Sequence, residues 1–95
     1  MKSEPSGGTL TVAAVQGTPV FLDRARTLEV AADHVAKANS ELVVFPESFV
    51  PSYPDWVWRC PPMSDGEWYA RFVANAVRVD STDLDSLRDA ARDAG

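Results

Sequence analysis

The sequence holds a single cysteine, Cys60, and a single histidine, His34. An internal disulfide is therefore excluded, and so is a zinc site built on several soft ligands. Positive charge is scarce as well, with nine lysines and arginines against fourteen acids and a net charge of −5. Such a balance gives no electrostatic footprint for nucleic acid or for an anionic membrane surface, and it favours small-molecule or protein partners. No apolar run approaches the roughly 20 residues of a membrane-spanning helix, and the polar opening Met1 to Thr9 lacks the apolar core of a signal peptide. A cytoplasmic protein is the expectation.

What is present has globular character: 45% hydrophobic and 24% charged residues argue against a disordered or fibrous class. With 95 residues, however, only a modest core can be buried. Residues 1–8, polar and glycine-rich, are expected to form a flexible tail. Leu10, Val12, Ala13, Ala14 and Val15 then form a near-continuous apolar run, which predicts a buried strand. From Asp23, a good N-cap residue, Ala25, Leu28, Ala31, Ala32, Val35 and Ala38 recur at spacings of three and four, predicting an amphipathic helix to about Asn39. Leu42 to Phe45, apolar without alternation and closed by Pro46, predicts a central parallel strand. Strand, helix and strand in this order make one βαβ unit of an α/β fold. The turn after its first strand, Gln16-Gly17-Thr18-Pro19, lacks a glycine-rich phosphate loop, which argues against a nucleotide-binding module.

A long connection from Pro46 to about Asp65 follows, rich in proline and carrying Tyr53, Trp56 and Trp58. Loops of this length in compact domains are often functional. The tryptophans are expected to anchor it. Trp68, Phe72, Ala76 and Val79 share one stripe, predicting a helix from Gly66 to about Val79 whose apolar face serves the core or a subunit contact. A capping-box-like Thr82-Asp83-Leu84-Asp85 with Leu84, Leu87 and Ala91 predicts a last helix stopping at Gly95, and the aspartates there suit a solvated helix face. The pattern is expected to stop in mid-repeat, before the next strand. His34 falls on the polar side of the first helix and is expected at the surface.

Glu47 stands just beyond the second strand, at the carboxyl end where α/β sheets collect their ligand sites. Phe45, Pro46, Phe49 and Val50 flank it, and such apolar surroundings would raise its pKa toward the range of a general base. Local pattern alone favours the blander alternative of a solvated carboxylate or one capping a backbone amide.

The wording of the sequence adds to the pattern. Leu42-Val43-Val44-Phe45-Pro46-Glu47-Ser48-Phe49, continuing through Val50-Pro51-Ser52-Tyr53-Pro54-Asp55-Trp56-Val57-Trp58, closely resembles the catalytic-glutamate region of nitrilases, in the carbon–nitrogen hydrolase superfamily. So do Ala13-Ala14-Val15-Gln16 with Thr18-Pro19-Val20-Phe21-Leu22-Asp23, then Gly66-Glu67-Trp68-Tyr69 and Asn75-Ala76-Val77, covering nearly everything from Thr9 onward. The resemblance implies a partial α-β-β-α sandwich, a βαβ unit followed by a long loop and two helices, with residues 9–95 as the truncated amino-terminal part of the domain. It implies a Glu-Lys-Cys catalytic set without cofactor or metal, acting on small-molecule nitriles in a homo-oligomeric full-length enzyme, with amidases as the neighbouring alternative.

In that scheme Glu47 matches the base and Tyr53 is a candidate substrate-pocket residue, with loop packing as its alternative. The family's lysine and nucleophilic cysteine lie downstream of Gly95, so Lys2, Lys37 and Cys60 match neither. The 95 residues alone are therefore expected to be catalytically inactive, at most an interaction module, and poorly stable because one sheet face would lie uncovered. Ser52 departs from the glycine often found between this proline and tyrosine, and pays a steric penalty if the backbone there needs positive φ.

Overall fold

The computed structural model describes residues 8–95, the side chain of Pro62 excepted. The expected tail over 1–8 lies outside the described residues apart from Gly8. Strand β1 covers Val12–Ala14, helix α1 Arg24–Ala38, and strand β2 Leu42–Val44. The two strands pair in parallel, with Val12 opposite Leu42 and Ala14 opposite Val44, so the expected strand, helix, strand unit is present. Helices α2, Gly66–Ala74, and α3, Asp85–Ala94, follow the long connection. The result is a mixed helix and strand fold on a two-stranded parallel sheet.

Helix α1 begins where the sequence says it should. The Asp23 carboxylate accepts from the Arg26 backbone N–H at 3.0 Å, satisfying one of the orphan donors of the first turn. It ends at Asn39, which adopts the left-handed conformation that asparagine tolerates better than most residues. Thr27, Leu28, Ala31 and Val35 form its buried face, and α3 packs against this helix. Thr27 is fully buried, and its hydroxyl donates to the Val20 carbonyl at 2.9 Å and accepts from the Val20 N–H at 3.0 Å. Both backbone polar groups of Val20, in the turn before α1, are thereby satisfied without water.

Two helix boundaries differ from expectation. Helix α2 stops at Ala74 rather than near Val79, because its last carbonyls are claimed from elsewhere. The Asn75 side-chain amide donates to the Arg71 carbonyl at 2.9 Å, and Arg24 Nη1 donates to the carbonyls of Ala74 and Ala76 at 3.2 and 3.1 Å. At the start of α3 no side-chain cap forms, and the helix begins at Asp85. Asp83 is engaged instead with the Arg78 backbone N–H, at 2.9 Å, and with Arg24.

His34 also departs from its expected place. Its ring meets the edge of Phe45, with centroids 6.5 Å apart and planes at 80°, and it presses on Gly17. The opposite face of the sheet is open: Val12, Ala14, Leu42 and Val44 are all exposed. Adjacent positions of a strand point to opposite faces, so these residues form one apolar, uncovered surface. Among the described residues no helix is long and apolar enough to cross a membrane.

Candidate active site at the exit of the second strand

The parallel ladder fixes where the chain leaves the sheet. The Val15 N–H donates to the Val44 carbonyl at 2.9 Å, so both strands reach their carboxyl ends side by side. Phe45 and Pro46 then lead into a turn over Glu47–Pro51. The rings of Phe45 and Phe49 close under this turn, with centroids 5.2 Å apart, and Phe49 is buried. Glu47 sits at the tip.

The two strand-end loops are tied together. The Leu22 N–H, in the loop after β1, donates to the Pro51 carbonyl at 3.0 Å, and Leu22 itself is buried. Phe21, from the same loop, packs edge-on against Trp56 with centroids 6.1 Å apart. Around Trp56 gather Trp68, Tyr69 and Phe72 of α2, at 6.5, 5.6 and 5.6 Å. Trp56 is only 4% exposed and is the anchor the sequence suggested; Trp58, 78% exposed, is not. The reason is local: both belong to a 3₁₀ turn over Asp55–Trp58, and residues two apart on so tight a helix cannot share a face. The Trp56 indole N–H is buried without a hydrogen-bond partner among the described residues.

The Glu47 side chain is exposed, and among the described residues its carboxylate makes no hydrogen bond or ion pair. The capping role set against catalysis is thus not exercised, and the apolar enclosure foreseen for this acid is not supplied by these residues. Tyr53, also exposed, stands six positions on and makes no ring contact among the described residues. Ser52 between them is buried and has φ +128°, so the positive φ foreseen for this position is present on a residue with a Cβ. Ser48, next to Glu47, is likewise left-handed at φ +57°. Two non-glycine residues in this region within one short loop mark it as a conformation that packing imposes.

Of the other candidates, Lys2 lies outside the described residues, and neither Cys60 nor Lys37 makes a hydrogen bond or ion pair with Glu47. Cys60 is a partly exposed free thiol whose backbone N–H donates to the Trp56 carbonyl at 2.8 Å. Lys37 pairs with Asp33 at 2.9 Å on the surface of α1. Among the described residues no three His, Cys, Asp or Glu side chains converge as a metal site requires. A cleft of about 290 Å³ between α3 and the sheet is lined by Val35, Val43, Phe45, Leu87 and Ala91 among others, and includes neither Glu47 nor Tyr53. Sequence reasoning named Phe49 beside Glu47 but missed Thr27. Thr27 could have been found, since it continues the spacing of four through Ala31 and Val35.

A parallel βαβ unit, with an acid unpaired among the described residues on the loop leaving its second strand, defines an α/β protein, a class in which ligand sites collect at the carboxyl edge of the sheet. The comparisons with known proteins make this specific: the chain belongs to the carbon–nitrogen hydrolase family, whose profile matches residues 11–95. Among its relatives, an aliphatic nitrilase of Rhodococcus rhodochrous is 40% identical over 89 residues, which cover 90% of this chain and 24% of the relative. An arylacetonitrilase of Hypocrea virens is 37% identical over 87 residues, covering 88% and 26%. A nitrilase of Bacillus sp. is 33% identical over 82 residues, covering 83% and 24%. The chain thus spans about a quarter of the length of these relatives.

Proposed function

We propose that residues 9–95 form one portion of a nitrile-hydrolysing carbon–nitrogen hydrolase of α-β-β-α sandwich architecture, and that Glu47 is its general base. The observation that carries this is the placement of Glu47 at the carboxyl end of a parallel strand, on a turn closed from below by Phe45 and Phe49, with no partner among the described residues to occupy its carboxylate. The nitrilases among its relatives support the substrate class. The reaction takes a thiol from elsewhere in the complete protein. Glu47 accepts the thiol proton, the thiolate sulfur attacks the nitrile carbon while the nitrogen takes up that proton, and two waters convert the resulting thioimidate to ammonia and the carboxylic acid and regenerate the thiol. A lysine would stabilise the developing negative charge. Tyr53, exposed on the same loop, would wall the pocket on the substrate side.

The open apolar face of Val12, Ala14, Leu42 and Val44 supports a second layer packed there in the complete enzyme, since apolar sheet faces are stable when covered. The companion reading, that these 95 residues alone turn over no nitrile, rests on the thiol being supplied from elsewhere. The test is Glu47→Gln in a full-length protein carrying this segment. Turnover of a nitrile is expected to fall by about 10²- to 10⁴-fold, the usual worth of a positioned base. Retained turnover would remove Glu47 from the mechanism. A parallel panel of amides separates the amidase alternative, which predicts that amides are hydrolysed faster than nitriles.

A further inference from the structure

The loop bearing Glu47 rests on a side chain outside the catalytic set. From the exposed tip inward, Glu47 sits between Phe45 and Phe49, whose tilted rings meet at 5.2 Å and 49°. Phe45 is also met by the His34 ring of α1, at 6.5 Å and 80°, within the range of a favourable edge-to-face pair. His34 is in turn backed by Gly17, in the loop after β1. A Cβ built on Gly17 would lie 2.8 Å from His34 Nε2 and 3.3 Å from Val15 Cγ1, so any larger residue there would require the ring to move. Gly17 has no positive φ, which leaves the close approach as the reason for glycine here.

We infer that His34 is a positioning residue for the Glu47 turn. It is wedged between Gly17 and Phe45, and it transmits the position of α1 and of the loop after β1 to the Phe45–Phe49 pair beneath the carboxylate. An alanine at 34 leaves Phe45 unsupported on one side, and the missing contacts are recovered only if the ring shifts. A shift of the ring displaces the turn, because Phe45 lies two residues from Glu47. Phe49 on the far side is only 6% exposed and holds its own end of the turn in place. The contact joins three elements at the point where the sheet delivers its candidate acid. The inference deepens the proposed function, resting on the reading of Glu47 as base.

The experiment is a double-mutant cycle read by NMR on the chain. His34→Ala is expected to remove the cross-peaks between the Phe45 and Phe49 rings and to lower backbone order at Glu47 and Ser48. The cross-peaks between Trp56 and Phe72 should persist, which a general loss of structure would not allow. Gly17→Ala is expected to disturb the same turn in the parent, by pushing on the imidazole, and to add nothing in the His34→Ala background, as coupled contacts require. Equal effects of Gly17→Ala in both backgrounds would overturn the inference. So would an intact Phe45–Phe49 pair in His34→Ala, or the absence of a His34–Phe45 cross-peak in the unsubstituted chain. In a full-length protein carrying this segment, His34→Ala is expected to lower kcat about tenfold with little change in KM, the signature of a misplaced group rather than lost substrate binding. Turnover that survives Glu47→Gln while His34→Ala still loosens the turn would sink the assignment of the base and leave the positioning contact standing.

Discussion

Arg24 and Asp83, distant in sequence, meet at 3.6 Å across the junction where α1 begins and α2 ends. Arg24 is tied there three further times, through its backbone N–H to the Asn75 side-chain oxygen at 3.1 Å and through Nη1 to the carbonyls of Ala74 and Ala76. The first residue of α1 thus stops α2 and holds the loop that leads to α3.

This junction makes stability depend on acid. The Asp83 carboxyl is held below the usual carboxylate value, chiefly by the backbone N–H of Arg78. Partial burial works against that, while the Arg24 charge, the Ser81 hydroxyl and the Arg78 charge assist it. A depressed folded value means that the contribution is fully present above the unfolded value of about 3.9 and is lost as pH falls through the folded one. Asp83→Asn is expected to be less stable than the parent at pH 7, and the gap should begin to narrow as pH falls below about 4. Urea midpoints measured from pH 7 down to pH 3 check this, and parallel curves would show that the carboxylate contributes nothing.

Ser52→Gly is expected to stabilise the chain by about 1 kcal/mol. A non-glycine residue at φ +128° carries strain of about 1–3 kcal/mol, from which the larger chain entropy of glycine subtracts about 0.5–1 kcal/mol. The check is a thermal or urea midpoint against the parent. A lower midpoint would mean that the buried serine side chain contributes more through packing than the backbone loses.

Trp56 and Trp58 are expected to behave oppositely. Trp56→Ala empties the space between Phe21, Trp68, Tyr69 and Phe72 and should cost about 3–5 kcal/mol. Trp56→Phe should cost much less, because the indole N–H it removes is buried without a partner among the described residues, and deleting such a group recovers about 1–3 kcal/mol. Trp58→Ala should change stability by no more than about 0.5 kcal/mol. Chemical denaturation of the three variants tests the ranking, and equal costs for Trp56→Phe and Trp56→Ala would deny that the N–H is unpaired.

The legible parts of this fold were those governed by local periodicity. Asp23 announced the start of α1, the spacing of Leu28, Ala31 and Val35 announced its buried face, and the unalternating Leu42 to Val44 announced a parallel strand. The boundaries of α2 and α3 were not legible, because they are set by Arg24 reaching Ala74, Ala76 and Asp83 from another part of the chain. Spacing also could not tell Trp56 from Trp58, since that depends on the 3₁₀ turn that carries them.

By itself the sequence determined the elements, their order, the family, and the position of Glu47 just past a strand, because these follow from side-chain period and from words read in a row. Only the tertiary structure decided that His34 lies against Gly17 and Phe45, that Ser52 is forced to positive φ, and that the carboxylate at the tip is left exposed and unpaired among the described residues. The physical reason is that period fixes the face on which a side chain lies, whereas its neighbours are chosen by how separate segments close on one another in space.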